Sequence, residues 1–499
     1  MPAFLFLNSF FKKFYVEKNI KQGLPLLVKL CLVIIFVGNA FISKAQENTN
    51  RKVFQTALKL SGYVPKLHLR KIIIIGNKKT KEYIILREMQ LRADDSVIIA
   101  NLQAELKKAR DFIYNTTLFV DVKVSPLIIN ANDFDIIIEV KERWYIFPIP
   151  YVEAGDRSFN EWIKKDNADL HRVSYGIMVS HFNISGRNDK LLLTFINGFK
   201  RKMSFEYTAP YINKKLTHGI RFGAGYFQSR EIGYKTDYNN NLLYYKNQNF
   251  VKNEWYVKAG FSSKKGLKKK ESFLVTFRHL NIDDSIISYK NPGYFNNNSS
   301  TENFIELDYK LQFQDVDNIL YPLKGSITTL ALKKKGLQLK GGINEFSLHS
   351  SYNKFFSFKH GWYSSIRLDG EIKLPFTQSY YNQKLLGYEE NYMRGNEYFV
   401  IDGVAYGITK LDLKKKILFF NLPTFLNSKA YSKIPFSFYA KTFVDAGYVY
   451  NKAPFDSRLN NRLLYSAGFG LDVIIVHDYK ISIEYSFNQL NQKGLFLHH

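Results

Sequence analysis

From residue 144 onward, apolar and polar residues alternate with a period of two in short segments. In the clearest example, Lys480, Ser482, Glu484 and Ser486 separate Tyr479, Ile481, Ile483, Tyr485 and Phe487. Related patterns occupy residues 173–180, 191–197 and 436–442. Successive side chains of a β-strand point to opposite faces of its sheet. Each segment therefore predicts a strand with one apolar, aromatic face and one polar face.

The length of this region predicts how many strands it holds. At roughly 20–22 residues for each strand with its turn, about 355 residues give on the order of 16 antiparallel strands. An all-β transmembrane barrel of that size turns its apolar face to lipid and its polar face to the lumen. We therefore predict an outer-membrane β-barrel over 144–499. One or two large soluble sandwiches are the alternative.

Residues 69–143 have a different pattern, which predicts a small α+β domain. A β-branched run at residues 70–75 ends in Gly76-Asn77, which is typical of a strand followed by a turn. Thr80 is a candidate N-cap for a helix that runs to Leu91, and a second amphipathic helix covers about 98–114. Two alternating strands follow, near residues 120–124 and 134–140. The predicted order is β-α-α-β-β, which suits a small mixed sheet covered by two helices.

The N-terminal residues have the pattern of a secretory signal. An uncharged run of 14 residues, 30–43, follows several lysines and leads into Ser43-Lys44-Ala45. The run is too short to span a bilayer comfortably, and small residues at 43 and 45 suit signal peptidase. We therefore predict a signal peptide over 1–45 and a linker over 46–68. Lipidation of Cys31 and an uncleaved membrane anchor are the alternatives.

Composition narrows the remaining function classes. Cys31 is the one cysteine, so the mature chain would have neither disulfides nor thiolate metal sites. Aromatic residues make up 16% of the chain, which suits the aromatic girdles of a barrel. The formal net charge is +27, but the lysines are spread along the chain and no nucleic-acid-binding motif accompanies them. We therefore expect no nucleic-acid partner.

Several short motifs in the first domain resemble those of a polypeptide-transport-associated (POTRA) domain. They are Gly76-Asn77, Thr80 and Leu86-Arg87-Glu88, and the resemblance covers residues 69–143. It implies a periplasmic module that docks unfolded or exported client proteins by adding a client strand to a sheet edge. A generic α+β spacer is the alternative.

Five motifs in the second region, taken in order, resemble the barrel of the BamA/TamA superfamily of outer-membrane assembly and translocation proteins. They are Asn183-Ile184-Ser185-Gly186-Arg187, Tyr207-Thr208-Ala209-Pro210-Tyr211, Tyr321-Pro322-Leu323-Lys324-Gly325, Met393-Arg394-Gly395-Asn396 and Phe443-Val444-Asp445-Ala446-Gly447. The resemblance implies an outer-membrane assembly, insertion or translocation factor. Lipid, lipopolysaccharide, client proteins and other assembly-complex subunits are its expected partners. A single POTRA-like domain favours an accessory paralogue.

The Met393-Arg394-Gly395-Asn396 motif carries the predicted functional site. The resemblance implies that its loop folds back into the lumen, although the family pattern has Val before the Arg and an aromatic residue after the Gly. Gly395 would allow a tight turn that presents Arg394. The resemblance places Asp445 as the partner of Arg394, with Asp412 as a second one. An ordinary solvated loop arginine is the alternative.

The sequence predicts neither a catalytic site nor a cofactor. The ten His residues form no His-Glu-x-x-His spacing, and there is no Gly-x-Ser-x-Gly or P-loop motif. A passive pore or transporter is the main rival function, and a barrel enzyme is a weaker one.

Residues 494–499 predict a short, poorly paired closing strand, and in this superfamily the seam between first and last strands is proposed to open sideways.

Overall fold

A computed structural model describes residues 65–154, 169–337, 342–388, 391–423, 433–452, 457–475 and 479–498. The predicted signal peptide, with its cleavage site and Cys31, lies outside these residues, as does most of the predicted linker. In the part of the chain that is described, no helix is both long and apolar enough to cross a membrane.

The α+β domain is a four-stranded sheet with two helices. Its elements are β1 (Lys66–Ile75), α1 (Glu82–Arg87), β2 (Ser96–Ile98), α2 (Ile99–Tyr114), β3 (Phe119–Ile128) and β4 (Asp133–Glu142). The strand order is β2-β1-β4-β3, with β1 parallel to β4 and β3 antiparallel to it. The helices and the sheet share one core, which includes Leu69, Ile84, Ile85, Leu106, Ile113, Phe134 and Ile136.

Two details predicted for this domain were wrong. Strand β2 separates the helices, so the order is β-α-β-α-β-β. Thr80 does not cap α1, which begins after Lys81 and ends at Arg87. The Thr80 hydroxyl instead lies 3.0 Å from the Tyr145 hydroxyl and accepts a hydrogen bond from the Asn183 amide at 2.9 Å. Both partners lie outside the domain, so local propensity could not reveal them.

The described residues after β4 are mainly β-structure. Their strands are β5 (Ile146–Ala154), β6 (Val173–Phe182), β7 (Lys190–Gly198), β8 (Lys200–Ala209), β9 (His218–Ser229), β10 (Glu231–Thr236), β11 (Leu242–Lys246), β12 (Lys252–Ser263), β13 (Lys269–Ile282), β14 (Thr301–Val316), β15 (Gly325–Lys335), β16 (Glu345–Ser357), β17 (Trp362–Leu374), β18 (Lys384–Leu386), β19 (Ile401–Asp402), β20 (Ala405–Pro423), β21 (Lys433–Tyr450), β22 (Leu463–Ile474), β23 (Lys480–Asn488) and β24 (Lys493–His498). Strands β10 and β11 form a separate hairpin, and β18 pairs with β19 inside a long loop.

The other 16 strands form one sheet, in which each pairs antiparallel with its neighbours in the chain. The Tyr321 hydroxyl, in the turn before β15, donates a hydrogen bond at 2.9 Å to Asp472 on the distant strand β22. The sheet is therefore curled around an interior. Among the described residues, no backbone ladder joins β24 to β5, and β24 pairs only with β23.

The two faces of the sheet differ as the alternation predicts. On β12, Trp255, Val257 and Phe261 are 40%, 52% and 47% exposed on the outside. Glu254, directly before Trp255, points inward and forms an ion pair with Arg278. An apolar outside and a charged inside are the arrangement of a barrel in lipid. The predicted fold class, a transmembrane barrel of about 16 strands behind a small α+β domain, is confirmed.

This architecture predicts the behaviour of the purified protein. We expect the folded chain to migrate faster on a denaturing gel before boiling than after it, because a continuous sheet with its backbone groups hydrogen-bonded from strand to strand resists detergent. Circular dichroism of the same sample should give a predominantly β spectrum with a small helical part. A mainly helical spectrum, or full solubility without detergent, would contradict the fold.

Candidate functional site

The loop between β17 and β20 runs along the inner wall of the barrel. Its residue Arg394 contacts Asp412 on β20 and Asp445 on β21. Asp412 lies between Leu411 and Leu413, which are 44% and 45% exposed on the outside. Since neighbouring side chains of a strand alternate between faces, Asp412 points into the interior. The loop therefore lies inside the barrel at this position.

Arg394 and Asp445 form an ion pair with several hydrogen bonds. The Arg394 Nε donates to Asp445 Oδ2 at 2.9 Å, and the Arg394 backbone N–H donates to the same oxygen at 3.2 Å. The Nη2 group donates to the other carboxylate oxygen, Oδ1. Arg394 is 8% exposed and Asp445 is fully buried. Charge-assisted, bidentate pairs of this kind are roughly twice as strong as neutral hydrogen bonds.

A second carboxylate and an aromatic ring complete the surroundings of Arg394. Its Nη1 donates to Asp412, which also accepts a hydrogen bond from the Ser365 hydroxyl at 2.9 Å. The guanidinium carbon lies 4.0 Å from the centre of the Phe443 ring, within the range of a cation–π contact. Sequence reasoning missed Phe443 and Ser365. The only available signal was that Phe443 is two residues before Asp445 and so shares its face of β21.

The residues around Arg394 are also held in place. Gly395 has φ +77°, and a Cβ there would lie 3.1 Å from the Ser466 Cβ on β22. Its carbonyl accepts a hydrogen bond from the Asn488 amide at 2.7 Å. Met393 is 1% exposed, and the Asn396 backbone N–H donates to its carbonyl at 3.0 Å. The motif is therefore a tight turn seated on the wall formed by β22 and β23.

A turn of the barrel contacts the α+β domain at Gly186. The Lys81 backbone N–H donates to the Gly186 carbonyl at 3.0 Å. Gly186 has φ +79°, and a Cβ there would lie only 2.3 Å from the Lys79 carbonyl oxygen. Any larger residue would push the turn between β6 and β7 away from the domain. The motif 183–187 therefore belongs to the junction between the two parts of the chain.

A buried carboxylate forms the centre of this junction. Glu88 is 2% exposed and accepts hydrogen bonds from the Tyr211 hydroxyl, the Lys264 ammonium and the Arg87 guanidinium, at 3.0, 3.0 and 2.9 Å. Arg87 also donates to the Lys264 carbonyl at 2.8 Å. Burial lowers the pKa of Lys264, although the Glu88 carboxylate beside it opposes the shift. Burial and the Glu88 charge raise the pKa of the Tyr211 phenol.

Comparison with known protein families identifies the first domain. The model of the POTRA family, described as "Surface antigen variable number repeat", matches residues 67–143. Residues 67–143 form a POTRA domain. A POTRA domain directly followed by a 16-stranded barrel sheet confirms the predicted resemblance to the BamA/TamA superfamily. No curated protein matches the chain.

Three solved structures resemble this chain in fold. BamA from Haemophilus ducreyi lacking POTRA domains 1–3 has a TM-score of 0.46 at 15% identity, covering 86% of this chain and 83% of that one. CdiB from Acinetobacter baumannii has a TM-score of 0.46 at 14% identity, covering 86% and 73%. CdiB from Escherichia coli has a TM-score of 0.49 at 12% identity, covering 86% and 75%. The assignment above rests on the POTRA match and on the strand topology.

The remaining predicted motif residues lie at several places in the barrel. Pro210 comes just before Tyr211 and so belongs to the POTRA junction. Tyr321 and Pro322 lie in the turn before β15, which begins at Gly325. The motif that ends at Gly447 lies within strand β21, which continues to Tyr450. Gly447 is therefore an inner-wall residue of β21, paired with Ile408 and Leu464 on the neighbouring strands.

The POTRA sheet has a long edge strand, β3. It is last in the strand order, and within the described residues its outer side pairs with no strand. Lys123 and Ser125 are exposed on it, and Leu127 and Ile128 are 42% and 55% exposed. An edge with unpaired backbone groups and exposed apolar residues can accept a further strand.

Proposed function

We propose that this chain is an outer-membrane protein assembly, insertion or translocation factor, with the POTRA domain of residues 67–143 in the periplasm. The supporting observation is the position of that domain. Among the described residues no further strand pairs with the edge strand β3 of its sheet, while the buried Glu88 cluster holds its helix α1 against the barrel rim. A client strand added to β3 would thus be delivered beside the barrel.

The expected partners follow from this arrangement. Unfolded or exported proteins would bind at the β3 edge, where backbone hydrogen bonds give affinity without requiring one client sequence. Lipid and lipopolysaccharide would cover the apolar outside of the barrel. The described residues contain one POTRA domain, and a single docking module supports our proposal of an accessory paralogue that works with other assembly-complex subunits.

A passive pore or transporter is the second candidate. It is favoured by a cavity of about 850 Å³ in the barrel interior, lined by charged side chains that include Lys258, Arg278 and Glu306. Such a pore has no evident use for a POTRA domain. The loop that carries Arg394 also occupies part of the interior. We therefore rank assembly or translocation first.

Crosslinking tests the role of the β3 edge. We would place a photo-crosslinking amino acid at Lys123 or Ser125 of the full-length protein in native outer membranes. Exposed Gln103 and Lys107 on α2 serve as matched controls. We expect adducts with unfolded outer-membrane or exported proteins from the β3 positions only. Equal adducts from α2, or none from β3, would contradict client docking at this edge.

Reconstitution separates the two functions. Liposomes that contain the full-length chain should accelerate the membrane insertion of an unfolded barrel protein, measured by the appearance of its heat-modifiable band. The same liposomes are tested for swelling in small sugars. Swelling without accelerated insertion would favour the passive pore.

A further inference from the structure

Three side chains with metal-binding atoms converge where the lumen loop meets the last strand. Glu397 follows the Met393–Asn396 turn, Glu484 lies on β23, and His498 is near the end of β24. One nitrogen or oxygen atom from each lies within 4.8 Å of the other two. These residues are far apart in sequence, and only the fold brings them together.

The distances suit a shared cation better than direct hydrogen bonds. His498 Nε2 lies 3.4 Å from Glu397 Oε1 and 3.4 Å from Glu484 Oε2. A charge-assisted hydrogen bond would be about 2.7–2.9 Å long. In a tetrahedral zinc site with bonds of about 2.0–2.1 Å, neighbouring ligand atoms are about 3.3 Å apart. The two observed separations of 3.4 Å are therefore close to the distance between neighbouring ligand atoms in such a site.

Two of the converging atoms are buried without a hydrogen-bond partner among the described residues. They are Glu484 Oε2 and His498 Nε2. Glu484 is 3% exposed, and its other oxygen accepts from the Lys441 ammonium, which fixes the carboxylate with Oε2 towards the cluster. Buried polar atoms in native proteins nearly always have a partner. A bound metal ion would supply one for both atoms.

The His498 ring is oriented as a metal ligand requires. Its Nδ1 lies 2.9 Å from the Tyr392 hydroxyl, and the two rings stack with their centres 4.8 Å apart. A histidine that binds a metal usually has its other ring nitrogen in a hydrogen bond, which fixes the tautomer and the ring plane. With the Nδ1 proton donated to Tyr392, Nε2 presents its lone pair to the two glutamates.

We propose that Glu397, Glu484 and His498 bind a divalent transition-metal ion such as Zn²⁺. Two carboxylates balance its charge, and the nearby Lys441 is itself paired with Asp472. One imidazole with two carboxylates matches the nitrogen and oxygen ligands of zinc, whereas Ca²⁺ and Mg²⁺ prefer oxygen alone. Among the described residues β24 has a backbone ladder only with β23, so the ion would add a link between this strand and the lumen loop, beside the Tyr392–His498 stacking contact.

Titration with Zn²⁺ tests the site. The full-length chain, purified in detergent and stripped of metal, should bind one Zn²⁺, measured by calorimetry, and should not bind Ca²⁺ at the same concentration. We expect Glu397→Gln and His498→Gln each to weaken the affinity at least tenfold. His171→Gln, which changes an exposed histidine outside the cluster, should bind as the wild type does.

Glu397→Gln separates this site from adventitious binding by the terminal histidines, because it leaves His498 and His499 intact. Equal affinity of wild type and Glu397→Gln would overturn the proposal. Hydrogen exchange gives a second readout: Zn²⁺ should slow exchange in β24 of the wild type and not of Glu397→Gln. The heat-modifiable band shows whether each variant folds. If either variant does not fold, X-ray absorption spectroscopy of the zinc-bound wild type tests the site by counting the imidazole ligands of the metal. One imidazole in the zinc shell supports the site, and two imidazoles contradict it.

Discussion

Replacing Arg394 with Ala is expected to release the lumen loop while the 16-stranded sheet stays folded. The substitution leaves Asp445 buried without its cation, and it removes the guanidinium from Asp412 and from the Phe443 ring. Breaking a buried ion pair by removing one partner costs about 3–5 kcal/mol. We expect about 3 kcal/mol here, because water in the lumen can reach part of the site. Arg394→Lys should rescue poorly, since an ammonium cannot make the planar, bidentate contact.

A double-mutant cycle measures this coupling. Loop order in Arg394→Ala, Asp445→Asn and the double variant is followed by the rate at which a protease cleaves the 375–404 loop. The double variant should be cleaved no faster than either single variant, because both lose the same interaction. Arg367→Ala is the matched control, as that lumen arginine is 49% exposed and pairs with Asp369. Additive effects would mean that Arg394 and Asp445 do not interact.

Replacing Glu88 with Ala is expected to detach the POTRA domain from the barrel rim. The carboxylate is 2% exposed and accepts from Tyr211, Lys264 and Arg87. Its removal leaves two cations side by side with no counter-charge at the centre of the junction. We expect a loss of about 3 kcal/mol in the contact between the domain and the barrel.

Spin labels on the POTRA domain and on the barrel rim report this change as a broadened distance distribution. Glu82→Ala is the matched control, because Glu82 is an exposed glutamate on the same helix α1. Glu88→Gln should have an intermediate effect, since the amide keeps some of the hydrogen bonds and loses the charge. An unchanged distribution in Glu88→Ala would show that other contacts hold the domain. Detachment should also slow client insertion in liposomes.

Period-two alternation was sufficient to predict two-faced strands, whereas the family resemblance favoured a barrel over soluble sandwiches. Along 479–487, Ile483 and Phe487 are 40% and 46% exposed, whereas Ser482 and Glu484 are 0% and 3% exposed. This agreement has a simple cause, because a strand exposes one face to lipid and one to the lumen along its whole length. The prediction was weaker in the POTRA domain. There the short strand β2 has too few residues to show a period, and contacts from outside the domain determine the role of Thr80.

The lumen site was predicted from a family motif rather than from any local pattern. Nothing in the residues around Arg394 says which carboxylate it contacts, and a solvated loop arginine was the alternative. The register of β20 with β21 puts Asp412 opposite Phe443, two residues from Asp445. That register brings both carboxylates within reach of one guanidinium. The tight turn at Gly395 directs the Arg394 side chain towards them.

The sequence by itself predicted a small α+β domain followed by two-faced strands, because side-chain alternation and helix periodicity are local properties. Only the tertiary structure decided the Glu88 junction and the grouping of Glu397, Glu484 and His498. Each of these clusters joins a loop or helix to strands distant in sequence, and the curvature of a 16-stranded sheet sets their distances. No local sequence pattern marks Lys264 or His498 as a functional residue. Their burial and their charged partners arise only when the curled sheet brings distant segments together.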